Sequence, residues 1–126
     1  MKIAIISSKD SEMDVSSLLS EKLLESIAGL EVKTIIAENK LEIISEAASL
    51  ENFDLIVVVL YYEKETVDVK VVMEKLIDLD LSGKKTMKFI VNSEEALSVE
   101  NEVKRIAEAI TDKFFVKNKD DFDEQY

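Results

Sequence analysis

Residues Phe53 to Tyr62, FDLIVVVLYY, constrain this chain more than any other stretch. Leu55 through Leu60 are all aliphatic, with Asp54 on one side and Tyr61 and Tyr62 on the other. Three of these six residues are valine and one is isoleucine, and branching at Cβ favours extended backbone. A strand without a polar face must be covered on both sides, which is the place of a central strand in a parallel sheet flanked by helices. Such sheets hold ligands beyond the carboxyl ends of their strands, so Tyr61 to Thr66 is the first region to search for function.

With 126 residues the chain is long enough to bury a core as one domain. It contains neither cysteine nor histidine. The first absence removes thiol chemistry and cysteine-bound zinc or iron–sulfur clusters and fits a reducing cytoplasm. The second removes histidine-based nucleophile activation and the commonest transition-metal ligand, so no metal site is expected. Any chemistry must use Asp, Glu, Lys, Arg, Tyr or backbone groups. A net charge of −11 argues against nucleic acid and against anionic membrane surfaces as partners. No apolar run approaches a membrane span, and Met1-Lys2 leads into a strand rather than a secretory segment, so a cytoplasmic protein is expected. With no proline and only Gly29 and Gly83, the connections are short and none is a glycine-rich phosphate cradle.

Read along the chain, Lys2–Ser7 is a strand followed by a polar loop. Asp14 or Ser11 can cap a helix carrying Val15, Leu18, Leu19, Leu23 and Ile27 on one stripe, with Gly29 at its end. Glu31–Ala37 is a second strand. Leu41–Leu50 is a short helix with Leu41, Ile44, Ala47 and Ala48 inward. After the central strand, Thr66 can cap a helix lined by Val69, Val72, Met73, Leu76 and Ile77. Four valines within Val67–Val72 would also suit a strand, but the spacing and length favour the helix. Gly83 closes it, Met87–Asn92 is the fourth strand, and a last helix runs from Ser98 to Phe115. Its buried stripe is Val99, Val103, Ile106, Ala107, Ile110 and Phe114. Residues 1–116 thus form a single α/β domain, and 117–126 a charged, fraying tail. Right-handed crossovers in this β-α alternation predict one parallel four-stranded sheet of order 2-1-3-4, helices on both faces.

Three loops then meet at the carboxyl end of the sheet, Ser7–Asp14, Ala37–Glu42 and Tyr61–Thr66, with Asn92–Ala96 at its edge. Ser7, Ser8 and Lys9 could hold an anion at a helix N-terminus, although loop hydroxyls acting as caps is the favoured reading. Tyr61 and Tyr62 could stack on an aromatic ligand, with Lys64 and Glu65 as polar contacts. Consecutive strand residues point to opposite faces, so one of the two tyrosines belongs to a core or a subunit interface. Glu42 and Asp68 are acid–base candidates, though carboxylates in a first helical turn ordinarily complement the helix dipole, and Glu94 and Glu95 likewise read first as helix-entry acids.

Taken together, these loops resemble the lumazine synthase superfamily, most closely its archaeal riboflavin synthase branch, over nearly the whole chain. ISSKDSEMDVSSLLSEKL resembles the family's hydroxyl pair and Asp-Met-Ala-Ser helix start, through Asp14, Val15 and Ser17. ENKLEIISEAA resembles the substrate-lining Pro-Gly-Ala-Phe-Glu-Ile-Pro, with Leu41, Glu42 and Ile43 keeping its core. LIVVVLYYEKETVD resembles the strand and substrate loop that follow, through Lys64, Asp68 and the pair Glu65-Thr66. IVNSEEA is similar to Val-His-Glu-Asp-Glu-Ala.

The resemblance implies a flavodoxin-like three-layer α/β/α sandwich assembled as a homo-oligomeric ring of pentameric size, with sites between neighbouring subunits. It further implies riboflavin formation by transfer of a four-carbon unit between two 6,7-dimethyl-8-ribityllumazine molecules, without metal or organic cofactor. Glu42, Lys64 and Asp68 would carry the chemistry, and Ser8, Asp14, Tyr61, Tyr62, Thr66 and Glu94 would bind the heterocyclic substrate. The chain departs from the family pattern where Asp10 replaces a stacking phenylalanine and Glu12 an arginine. Asn39 and Lys40 replace a Gly-Ala pair, Leu60 and Glu63 replace glycines, and Asn92 replaces a histidine. These exchanges support a second expectation, a non-catalytic paralogue that binds a ligand or serves as a structural oligomeric module. A flavodoxin or a phosphoacceptor receiver domain fits less well, because the central strand ends in Tyr-Tyr rather than in an aspartate.

Overall fold

In the computed structural model, which describes residues 1–123 and, in the last helix, side chains as far as Lys113, the β-α alternation holds throughout. The strands are β1 (Lys2–Ser8), β2 (Glu31–Ala37), β3 (Leu55–Tyr62) and β4 (Thr86–Asn92). The helices are α1 (Ser16–Ser26), α2 (Glu42–Ser49), α3 (Val67–Leu81) and α4 (Val99–Asp123). All strand pairs are parallel and the order is β2-β1-β3-β4, the predicted three-layer sandwich. No helix among the described residues is long and apolar enough to cross a membrane.

The central run is as covered as its composition demands. Every residue of β3 from Leu55 to Tyr61 is buried. Its side chains alternate between two apolar layers. Leu55, Val57, Val59 and Tyr61 join Ile3 and Ile5 under α1 and α4, against Leu19, Leu23, Ile106 and Ile110. Ile56, Val58 and Leu60 join Ala4 and Ile6 under α2 and α3, against Ile43, Ala47, Val72 and Leu76. The crossovers determine this division: α1 returns to the β2 edge on one face, and α2 crosses to β3 on the other. At about 1.5–3 kcal/mol for each large side chain taken from water, these two layers dominate the stability of the fold.

Helix faces differ from the sequence expectation at their margins. On α1, Val15, Leu19 and Leu23 are buried and Ile27 packs against them, but Leu18 is 46 % exposed. On α2, the inward residues are Ile43 and Ala47 with Leu50 just beyond, while Leu41 and Ala48 are exposed and Ile44 is half-buried. Leu41 precedes the first helical residue, so the true stripe begins later than its hydrophobicity suggests. On α3, Val69, Val72 and Leu76 face the core, whereas Ile77 is exposed. Helix α4 continues to Asp123 rather than ending at Phe115, since neither glycine nor proline interrupts it. The side chain of Phe114 lies outside the described residues.

Local chemistry explains the junctions. The Thr66 hydroxyl accepts the Val69 N–H at 3.4 Å and starts α3 in spite of its valines. Gly83 follows α3 with φ +109°, a left-handed conformation that costs glycine little. At the amino end of the sheet, Asp54 accepts the Lys2 N–H at 2.7 Å and pins the start of β1 to that of β3. Lys84 donates to the carbonyls of Ala48 at 2.6 Å and Leu50 at 2.5 Å, satisfying acceptors at the negative end of α2.

Candidate functional site

The three predicted loops do converge at the carboxyl end of the sheet, held there by main-chain bonds. Lys9 N–H donates to the Ala37 carbonyl at 2.9 Å, joining the first loop to the end of β2. Glu12 N–H donates to the Tyr61 carbonyl at 2.8 Å, and Ser93 N–H to that of Tyr62 at 2.8 Å. Tyr61 N–H donates in turn to the Ser11 hydroxyl at 3.0 Å. Ser11 therefore anchors the first loop to β3 rather than capping α1.

Between these loops lies a cleft of about 180 Å³ lined by Asp10, Glu12, Lys40, Tyr62, Glu63, Lys64 and Thr66. Of the residues expected to bind or react, it gathers Tyr62, Lys64 and Thr66. Tyr62 is half-buried, and Lys64 and Thr66 are exposed. Two larger grooves lie elsewhere. One of about 330 Å³ is at the amino end of the sheet, beside Phe53 and Lys84, and one of about 420 Å³ runs between α1 and α4. Neither is at the end where parallel sheets place their ligands, so the smaller cleft is the stronger candidate.

The remaining expected residues stand outside the cleft. Tyr61 is fully buried, and its hydroxyl donates to Glu102 Oε1 at 2.8 Å. It is the core member of the tyrosine pair and offers no surface to a ligand. Ser8 is buried beneath the first loop, donating to Asp10 Oδ1 at 2.6 Å. Asp14 is exposed, and its Oδ1 accepts from the Ser16 N–H at 3.0 Å and hydroxyl at 2.6 Å, an arrangement that starts α1. Glu42 is exposed at the first turn of α2, its N–H taken by Asn39 Oδ1 at 3.0 Å. Asp68 is exposed in the first turn of α3. Glu94 is exposed in the turn after β4, its N–H bound to Asn92 Oδ1 at 2.9 Å. Among the described residues no hydrogen bond or ion pair links Glu42, Lys64 and Asp68 to one another, and no group of carboxylates could hold a metal ion.

The strongest contact at the cleft joins two residues that the sequence marks only as departures from a family pattern. Asp10 Oδ2 accepts from Lys40 Nζ at 3.0 Å and from the Lys40 N–H at 3.2 Å. Burial pushes the Asp10 carboxyl up, but the bonds from Ser8 and Lys40 and the Lys40 charge outweigh it and hold it below its usual value. The strand register, which the sequence does not give, places this pair. Ser8 sits opposite Ala37 at the last rung between β1 and β2, so opposite charges shortly beyond each end fall side by side.

On α4, Glu102 is 1 % exposed and accepts from Tyr61, from the Leu97 N–H at 3.1 Å and from Arg105 at 2.7 Å. Burial raises its carboxyl, yet these donors and the Arg105 charge bring the net shift below the ordinary range. Burial first, then Glu102, push the Tyr61 phenol above its ordinary value, so it stays protonated and donates. Every buried side-chain nitrogen and oxygen among the described residues has a partner.

No family model and no curated protein sequence matches the chain.

Proposed function

We propose that this protein is a divergent member of the lumazine synthase superfamily that works as a non-catalytic, cytoplasmic, homo-oligomeric module binding a small heterocyclic ligand. One observation carries the reading: Tyr62, Lys64 and Thr66 share a cleft, while Glu42 and Asp68 do not line it. The cleft therefore offers an aromatic surface, a cation and a hydroxyl for binding, without a carboxylate held against Lys64 by any bond. Its volume, about 180 Å³, is also below the range of roughly 300–1,000 Å³ usual for sites that enclose a small molecule. That space suits part of one ligand better than two ribityllumazines side by side.

A second reading, riboflavin formation by four-carbon transfer, is favoured by the same three residues, because the resemblance puts the substrate loop there. In a ring, a neighbouring subunit would supply the missing wall. Incubation with 6,7-dimethyl-8-ribityllumazine, following absorbance and binding together, separates the two. Saturable binding without turnover is the expected result, and riboflavin production would replace the first reading by the second. Neither binding nor turnover at high protein concentration would sink both. A monomeric mass by gel filtration with light scattering counts separately against the ring.

A further inference from the structure

We infer that the Asp10 carboxylate is a built-in occupant of the cleft, an internal anion that a small carboxylate or phosphate group must displace from Ser8 and Lys40 in order to bind there. The inference rests on reading the cleft as a ligand site and adds the chemistry that controls access to it. Three donors converge on this one side chain: the Ser8 hydroxyl at 2.6 Å, the Lys40 N–H at 3.2 Å and Lys40 Nζ at 3.0 Å. A hydroxyl, a main-chain N–H and an ammonium directed at two carboxylate oxygens are the groups that would hold a free oxyanion.

The donors belong to different segments. Ser8 ends β1, and Lys40 lies in the connection from β2 to α2, so the carboxylate ties two of the converging loops together. Both Asp10 and Lys40 line the cleft, where the other lysine, Lys64, has no ion-pair partner among the described residues. The side chains of Asp10 and Lys40 are 35 % and 21 % exposed, far less than the 61 % and 67 % of the neighbouring Lys9–Glu38 pair. Water screens the second pair heavily and the first much less. Lys9–Glu38 is a surface contact, whereas Asp10–Lys40 lines the cleft. An incoming anion gains Lys40 only by releasing Asp10, so affinity for small anions is held down in the native chain.

The test removes the internal anion and offers an external one. Sodium acetate and inorganic phosphate are titrated, at constant ionic strength set with chloride, into the native protein, Asp10→Ala and Asp10→Ala/Lys40→Met, following the assigned main-chain amide at position 40 by ¹⁵N–¹H NMR. Acetate or phosphate is expected to saturate Asp10→Ala with at least tenfold higher affinity than the native protein, and to lose that gain in the double variant. Equal affinity in native protein and folded Asp10→Ala overturns the inference, as does a gain that survives Lys40→Met. If Asp10→Ala does not fold, Asp10→Asn takes its place. It keeps the side-chain volume and removes the charge, and its affinity must still exceed the native value or the inference fails. The two readings fail separately. Ribityllumazine binding with no anion effect removes only the internal occupant, and an anion effect without ribityllumazine binding removes only the proposed ligand class.

Discussion

Tyr61 makes three hydrogen bonds to two other segments of the chain. Its N–H reaches Ser11, its carbonyl takes the Glu12 N–H, and its hydroxyl reaches Glu102. The first two bonds fix the loop that carries Asp10 and Glu12, and the third fixes α4 against the end of β3. Because Glu102 is buried, loss of the phenol leaves one carboxylate oxygen short of a donor where water cannot replace it. Tyr61→Phe is expected to lower stability by about 1.5–3 kcal/mol, the range for a hydrogen bond to a charged group, read from urea unfolding midpoints. A cost near zero would mean that Arg105 and the Leu97 N–H satisfy Glu102 without help. Alternation along β3 already implied that one tyrosine is internal. Which one it is depends on how far the layers reach along the end of β3, where Tyr61 pairs with Val91 and Tyr62 with Asn92 of β4, and that information is not local to the strand. Glu102 was invisible in the sequence for a similar reason, since a glutamate beside a core valine in an acidic helix reads as solvated until a donor is placed opposite it.

At the scale of elements, hydrophobic spacing identified each helix but not the width of its buried face. The stripe on α1 contains both Leu18 and Leu19, yet only Leu19 reaches the sheet, while Leu18 borders the groove between α1 and α4. Leu19→Ala is expected to cost about 2–5 kcal/mol through lost burial and the cavity it leaves. Leu18→Ala should stay within about 0.5 kcal/mol, as for an ordinary surface position. Paired thermal or chemical denaturation of the two variants checks this, and comparable losses would show that the groove is filled by something in solution. The same effect shifts α2, where Ile43 and Ala47 rather than Leu41 and Ala48 meet the sheet. A helical stripe can span more arc than a sheet can cover, and the crossing angle selects which part is used.

For the molecule as a whole, acidity is the clearest lever, with 27 carboxylates against 16 basic side chains. Asp10 and Glu102 are both held below their unfolded values of 3.8 and 4.5. The folded state therefore binds fewer protons than the unfolded chain near these values, and stability rises with pH across them. This contribution is fully present above the unfolded values and is lost as pH falls through the lower, folded ones. Unfolding midpoints are expected to hold steady from neutrality to about pH 5 and to fall steeply below about pH 4. Asp10→Asn and Glu102→Gln should each flatten that fall, measured as urea midpoints across the pH series. A decline equally steep in both variants would assign the acid lability to other carboxylates.

The sequence by itself determined the alternation of strands and helices, the strand order and the burial of β3. These follow from periodicity, β-branching and the handedness of crossovers, each of which acts within a short stretch of chain or between consecutive elements. It also located the end of the sheet where Tyr62, Lys64 and Thr66 meet. Only the tertiary structure decided that Asp10 and Lys40 close on each other there, that Glu42 and Asp68 stand apart, and that Tyr61 turns inward to Glu102. Those outcomes depend on register and helix placement, which bring together residues 30 or more positions apart whose side chains carry no mark of their partners.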